Sequence, residues 1–373
     1  MQQNDAGQTK YAKLMEYIKD EIIMGRIKPG DQIPSENTLA EKLSLSRHTV
    51  RKAISMLVNE GFLYTEHGRG TFCKDRSINR NNSKNIGVMT TYISEYIFPR
   101  VIQGIDSALS EKGYSIVLKN TDNDVEKEAL YLQEILNKDL EGLIVEPTKS
   151  ALFSNNVNFY KALDANNIPY IFIHGIYQQL EDKPRITLND SHGMYMVVKY
   201  LIELGHRNIV GVFKADDIQG IQRHKGFAEA LNDNGLQYNP DNVIWFHTED
   251  RKEKPYCTVE AMIKNGKDID AIACYNDQIA FGMYEKLLEL GLSIPRDISL
   301  TGFDDSYFSV SCPVKLTTVS HPKELLGEMA AQTLLEMINN PEYEKGKIHK
   351  IIEPELIIRD SCKKRGSAED PEG

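Results

Sequence analysis

Ser46-Arg47-His48-Thr49-Val50-Arg51-Lys52-Ala53 reads as the opening of a helix with two unlike faces. Ser46 is the type of residue that caps a helix start, because its hydroxyl accepts a free backbone N–H. Val50, Ala53, Ile54, Leu57 and Val58 recur at steps of three and four and share the inner side, and Gly61 closes the helix after Glu60. Arg47, His48, Arg51, Lys52 and Ser55 are left facing outward. Upstream, Ser44–Ser46 is a tight polar turn, and Ser35 caps a short helix carrying Leu39, Ala40 and Leu43. Before that, Pro29-Gly30 turns the chain away from a first helix over 11–24, with Leu14, Ile18, Ile22 and Ile23 on one side. Downstream, two β-prone runs, Leu63-Tyr64-Thr65 and Thr71-Phe72-Cys73, flank Glu66-His67-Gly68-Arg69-Gly70 and predict a hairpin.

Two helices joined by a short turn, the second opening on basic residues, have the geometry for reading a major groove. Arg can bond a guanine edge at two points, and Thr can meet a thymine methyl or a phosphate. A hairpin tip with His67 and Arg69 between glycines suits a narrow minor groove, which attracts Arg.

Charge supports this reading once it is divided along the chain. The protein has 373 residues and a net charge of −10, which by itself argues against nucleic acid. Residues 1–75 carry +1 and the remainder −11, and no acid lies between Lys42 and Asn59. A local basic stripe on an acidic protein is the footprint that matters for DNA.

The order of motifs carries a resemblance. Lys28-Pro29-Gly30-Asp31-Gln32-Ile33-Pro34-Ser35-Glu36, Leu39-Ala40, residues 46–53, Glu60-Gly61-Phe62-Leu63 and Gly68-Arg69-Gly70-Thr71-Phe72 resemble the GntR-type winged helix-turn-helix domain. The resemblance implies base or phosphate contacts for Glu36, Arg47, Thr49 and Arg51, a wing tip at Gly68–Gly70, and specificity at His48. Glu36 also has a plainer reading, as an ordinary acid in the first turn of a helix.

Residues 76–84 are polar, with three basic residues and no acid, and read as a linker. From residue 85 apolar runs at 86–89, 115–118, 142–145, 170–173, 209–213, 243–246, 271–274 and 298–301 alternate with helical stretches. Such alternation predicts an α/β fold with parallel sheets covered on both faces. Periodicity alone leaves one large sheet or two lobes open. Residues 362–373 are polar and are expected to be a disordered tail.

Asn85-Ile86-Gly87-Val88, Gly142–Val145, Gly205-His206-Arg207, Arg223-His224-Lys225-Gly226-Phe227, Asn276-Asp277-Gln278-Ile279-Ala280 and Gly302-Phe303-Asp304-Asp305 resemble the LacI/GalR-type effector domain over 85–361. That resemblance implies two Rossmann-like lobes with crossing strands, like those of periplasmic sugar-binding proteins, a ligand cleft between them, and a homodimer. Open α/β sheets bind ligands beyond the carboxyl ends of their strands. Glu146, His174, Asn276 and Asp304 each lie there or within a residue or two. By resemblance Arg223, Asn276 and Asp304 are sugar-hydroxyl ligands, with Tyr96 and Phe98 candidates for the entrance and wall. Alternatives stay open: Asn276 as a helix cap, Asp304 as a turn brace, Glu146 as a turn residue, His174 as a buried hydrogen-bonded residue, and Trp245 as core or cleft wall.

A reader and a clamp on one chain resemble the arabinose-responsive repressors of Gram-positive bacteria, which implies operator DNA as partner and L-arabinose as effector. No run approaches the roughly 20 apolar residues of a membrane span, and Met1–Lys10 is polar, so a cytoplasmic location without a membrane partner is expected. Five scattered cysteines without a CxxC pair argue against a zinc site or a disulfide frame. A transport receptor shares the clamp but not the reader. An enzyme is not expected, since GxGxxG, P-loop, HExxH and GxSxG motifs are absent. The adjacent acids Asp216-Asp217 and Asp304-Asp305 do not flank a bond as a glycosidase pair must.

Overall fold

The computed structural model describes residues 9–75, 82–340 and 348–365. The N-terminal unit contains α1 (Lys10–Ile23), α2 (Glu36–Leu43), α3 (Arg47–Asn59) and an antiparallel hairpin of β1 (Leu63–Glu66) and β2 (Gly70–Cys73). Ser35 and Ser46 both act as caps, accepting from Thr38 N at 3.2 Å and Thr49 N at 3.1 Å. Ser44 closes α2 in the left-handed region, which makes the turn between the helices short. Leu14, Ile18, Ile22, Leu39, Val50, Leu57 and Leu63 form its core, and backbone bonds from Ile33 N to Thr71 O and Cys73 N to Asp31 O tie the wing to the loop before α2.

The remainder folds as two lobes. The first has a six-stranded, all-parallel sheet in the order β13-β7-β6-β5-β3-β4, from β3 (Asn85–Thr90), β4 (Ser115–Asn120), β5 (Gly142–Val145), β6 (Tyr170–Ile173), β7 (Arg185–Leu188) and β13 (His349–Ile352). Its helices are α4 (Phe98–Ser110), α5 (Val125–Asn137), α6 (Val157–Ala165) and, much later in the chain, α12 (Lys323–Asn339). The second lobe has a four-stranded parallel sheet, β11-β10-β8-β9, from β8 (Ile209–Lys214), β9 (Val243–Phe246), β10 (Ala271–Cys274) and β11 (Ser299–Thr301). Around it lie α7 (Asp190–Glu203), α8 (Ile218–Asp233), α9 (Lys254–Lys264), α10 (Asp277–Glu289) and α11 (Tyr307–Ser311). A small antiparallel pair joins β12 (Thr318–Val319) to β14 (Leu356–Ile357).

Among the described residues the chain therefore crosses between lobes three times: at Asn189, at 320–322 and at 353–355. The crossings are bonded to one another. Asn189 N donates to Ile352 O, its side chain donates to Glu353, and Ser320 and Glu355 exchange bonds at 2.7 Å. Four strands escape the sequence reading: β7, β12, β13 and β14. They are short or polar-interrupted, and tertiary pairing rather than a long apolar run holds them.

Both outer boundaries differ from expectation. Lys84 is already part of the first lobe, since Ser115 N donates to its carbonyl and its own N–H donates to Glu141. Residues 76–81 of the expected linker lie outside the described residues. The expected tail begins later than Cys362: Lys363 N donates to Ser299 Oγ, His206 meets the Lys363 carbonyl, and Arg365 N donates to Leu204 O. Residues 366–373 lie outside the described residues.

Close helix crossings set the lobe geometry. In the first lobe α4 and α12 touch at Gly104 and Gly327, where a Cβ would overlap the Glu324 and Val101 carbonyl oxygens respectively. A methyl group there must push backbone apart. Gly104→Ala is expected to destabilise the chain by about 1–3 kcal/mol, read as a lower denaturant midpoint at unchanged slope.

Candidate functional site

Two regions of the described structure collect the candidate residues. In the reader, Arg47 and His48 open α3 exposed, next to the free N–H groups of the helix start, which favour phosphate. Thr49 is half-buried, and its hydroxyl is held 2.8 Å from Ser46 Oγ. Arg51 and Glu36 form an exposed pair, with Nε and Nη2 reaching Glu36 Oε2 at 3.0 and 2.9 Å. The carboxylate is thus engaged in orienting a guanidinium across the turn between α2 and α3. Lys52 places its ammonium 4.0 Å over the Tyr11 ring. In the wing, His67 is exposed, Gly68 and Gly70 take positive φ, and Arg69 pairs with Glu66 at 2.5 Å. All of these stand on one continuous reader built by α2, α3 and the hairpin.

The second region is a partly open cavity of about 90 Å³ between the lobes, lined by both polar and apolar side chains. It lies where the carboxyl ends of the two parallel sheets face each other. Glu146 and His174 follow β5 and β6; Lys214, Phe246, Asn276 and Asp304 end or follow β8, β9, β10 and β11. Phe98, Leu188, Phe246 and Ile279 supply apolar wall, and the polar groups converge between them.

Arg223 is the centre of this site. It is 4% exposed, lies 3.6 Å from the Phe303 ring centroid, and spends three donors on protein: Nε to Asp190 Oδ1 (2.8 Å), Nη1 to Tyr275 O (2.6 Å) and Nη2 to Asp304 Oδ1 (3.0 Å). A guanidinium has five N–H groups, so two remain for a ligand. Burial raises the Asp190 carboxyl to about 6 despite Arg223. Burial acts on Asp304 too, but Arg223, His321 and a hydrogen bond from Tyr96 outweigh it and hold that carboxyl below its usual range. Lys214 is likewise buried, and Asp217 (2.6 Å) with Asp216 more than offsets the desolvation of its ammonium.

Glu146 accepts from Thr91 N and Oγ1 at 2.8 and 2.5 Å and from His174 Nδ1 at 2.9 Å. His174 Nε2 is buried without a protein partner among the described residues, as are both nitrogens of His321, whose ring lies 5.1 Å from it. Asn276 does cap α10, accepting from Ile279 N at 3.0 Å, and this leaves its amide group to the cavity. Cap and cavity-lining roles therefore coexist there. His174 and Asp304 hold positive φ (64° and 92°), a backbone cost that non-glycine residues bear where surrounding structure over-determines them.

Tyr96 stands beside the cavity, in an adjoining groove that shares Arg251, Gln278 and Ile279 with it. It is not in the lining of the cavity itself; its hydroxyl donates to Asp304 Oδ2 at 2.7 Å and receives Asp277 N at 3.3 Å, bridging the lobes. Instead Tyr92 and Arg251, joined across the lobes at 2.6 Å, stand at the cavity with Thr91. Trp245 packs on His224 and Phe213, away from the cavity. Sequence reasoning missed Asp190, Lys214, Arg251 and His321. Lys214 was findable, as a charge at the end of an apolar strand. Asp190 follows the unrecognised β7, and His321 sits on a crossover without any local signal.

The fold and these two regions define a DNA-binding regulator with a ligand-clamping domain, and comparison with known proteins agrees. Residues 10–73 match the family of bacterial regulatory proteins of the gntR type, and residues 198–362 match the periplasmic binding protein-like domain. The chain is 40% identical over 363 residues to the arabinose metabolism transcriptional repressor of Halalkalibacterium halodurans, covering 95% of this chain and 96% of that one. It is also 40% identical over 358 residues to the repressor of the same name from Geobacillus stearothermophilus, covering 95% and 98%. A LacI family transcriptional regulator from Enterococcus faecium, solved with bound ribose, superposes with a TM-score of 0.63 at 25% identity, covering 75% of this chain and 99% of that one. The chain belongs to the family of these transcriptional repressors. Among the described residues no helix is long and apolar enough to cross a membrane.

His321 supplies a check on this geometry. Burial, reinforced by His174, pushes its ring down to about 3 from 6.5, so it is neutral in the folded chain. A depressed folded value contributes stability that is complete above the unfolded value and is lost as pH falls from 6.5 towards 3. Between about pH 7.5 and about pH 5.5 the parent chain is expected to lose about 1.4 kcal/mol more stability than His321→Gln. Denaturant titrations of both chains at the two pH values measure the difference.

Proposed function

We propose that the chain represses sugar-utilisation genes by binding palindromic operator DNA as a homodimer, and that L-arabinose in the inter-lobe cleft releases it. The single observation that carries this is the pairing, on one chain, of an exposed basic helix start with a cleft centred on the doubly clamped Arg223. Residues 1–75 act as the reader and 85–361 as the effector and dimerisation domain, in the cytoplasm and without catalysis. Arg223, the Asn276 amide and Lys214 offer donors to vicinal hydroxyls, and His174 Nε2, partnerless while Nδ1 donates to Glu146, offers an acceptor. Phe98 and Phe246 offer apolar wall to the sugar ring's C–H face. The names of the relatives support arabinose over other pentoses.

The energetics are modest. A sugar shifts the reader only through different affinities for two arrangements of the lobes. A 100-fold release corresponds to about 2.7 kcal/mol of coupling, within reach of a few hydroxyl contacts that form only when the cleft is closed. The cross-lobe bonds Tyr96–Asp304 and Arg251–Tyr92 belong to such a closed arrangement.

Calorimetry against L-arabinose, D-ribose and D-xylose, with gel shifts on an arabinose-gene operator, tests the reading. L-arabinose is expected to bind and to weaken the operator complex, while Arg223→Ala binds operator but no longer responds. A response to another pentose alone would reassign the effector, and loss of operator binding by Arg223→Ala would mark that residue as structural. In the reader, Arg47→Ala is expected to weaken operator binding by about 1–3 kcal/mol through a lost base contact. An equal loss on random DNA would show a phosphate contact instead.

A further inference from the structure

Two adjacent isoleucines at the end of α1 are buried in different places. Ile22 belongs to the reader's own core. Ile23, 3% exposed, belongs to the apolar cluster of the first lobe with Tyr160, Leu163 and Ile168. The sequence pattern groups both on one face, and the structure separates them, because consecutive helix residues point about 100° apart. Ile23 is therefore a reader residue whose burial comes from the effector domain.

Polar contacts fix the same place. Asn166, just after α6, donates through Nδ2 to the Ile23 carbonyl at 2.8 Å and to Ala162 O at 2.8 Å. One of the orphan carbonyls at the end of α1 is thus satisfied by the other domain. Asp20 is hydrogen-bonded to Gln133 of α5. Gly25, at φ 70°, brings the chain so close that a Cβ there would stand 3.4 Å from Ala165 Cβ. While docked in this way, Arg47, His48, Arg51 and Arg69 stay exposed, so the seat leaves the DNA-facing residues free.

We propose that the C-terminal end of α1 is a docking joint, seated between α5 and α6, through which the first lobe carries the reader as one body. A covalent connection sets only position; orientation needs a second contact, and Ile23 with Asn166 provides it. Lobe movement then re-aims the two readers of a dimer relative to half-sites spaced by about one helical turn of DNA. This inference rests on the effector-responsive reading above for its consequence, though not for the existence of the joint.

The joint is tested in the full-length chain. Gly25→Cys with Ala165→Cys should form a disulfide under mild oxidation, seen by mass spectrometry, whereas neither single variant forms that link. The cross-linked chain should bind operator and release it on adding sugar like the parent, because the joint stays seated in both states. Ile23→Ser and Asn166→Ala should keep sugar affinity by calorimetry but shrink the sugar-induced change in operator Kd by about five-fold or more. Absence of the cross-link, loss of operator binding on cross-linking, or a parental response in both loosened variants would overturn the proposal. Were the parent itself insensitive to sugar, the functional reading would fall, and the cross-link would still decide whether the joint exists.

Discussion

A guanidinium removed from water must be neutralised and hydrogen-bonded almost completely, and Arg223 meets that demand by drawing three parts of the chain together. Asp190 comes from the segment just beyond the first crossing, Asp304 from the end of β11, and the Tyr275 carbonyl from the end of β10. Tyr96 then ties the first lobe to Asp304. The cleft is organised around this buried charge. A ligand that uses the two remaining donors enters a network already joined to both lobes and to a crossing strand.

The three crossings turn that local chemistry into a structural lever. They are short and bonded to each other, so the lobes have few ways to move apart. His321 lies on one crossing and Asp190 directly after another, so both belong to the hinge as well as to the cavity. At the far end of the first lobe, α1 seats its last turn against α5 and α6. A continuous path of packed elements thus runs from the cavity to the reader.

Legibility in the sequence followed the range of the interactions involved. The reader was almost wholly legible, because caps, turn and apolar spacing are local: Ser46 binds Thr49, three residues away. The strands of the two sheets were legible where burial on both faces demands an apolar run, as at Gly142–Val145. Arg185–Leu188 was not, since it mixes Arg and Thr with Ile and Leu and is held by pairing to β6 and β13. Asp190 was lost with it. The Tyr96–Asp304 bond was not legible for a related reason: nearness to a strand end says little about which partner across the cleft a side chain reaches.

By itself, then, the amino-acid order determined the reader, the alternation of strands and helices, and the charges at several strand ends. Propensity, capping and periodicity act over a few residues, and those features need nothing else. Only the tertiary structure decided that Asp190 and Asp304 grip one arginine, that Tyr96 latches onto Asp304, and that Ile22 and Ile23 serve different domains. Those contacts join residues up to about two hundred positions apart, and their energy comes from burial and charge pairing that exist only after the chain has folded.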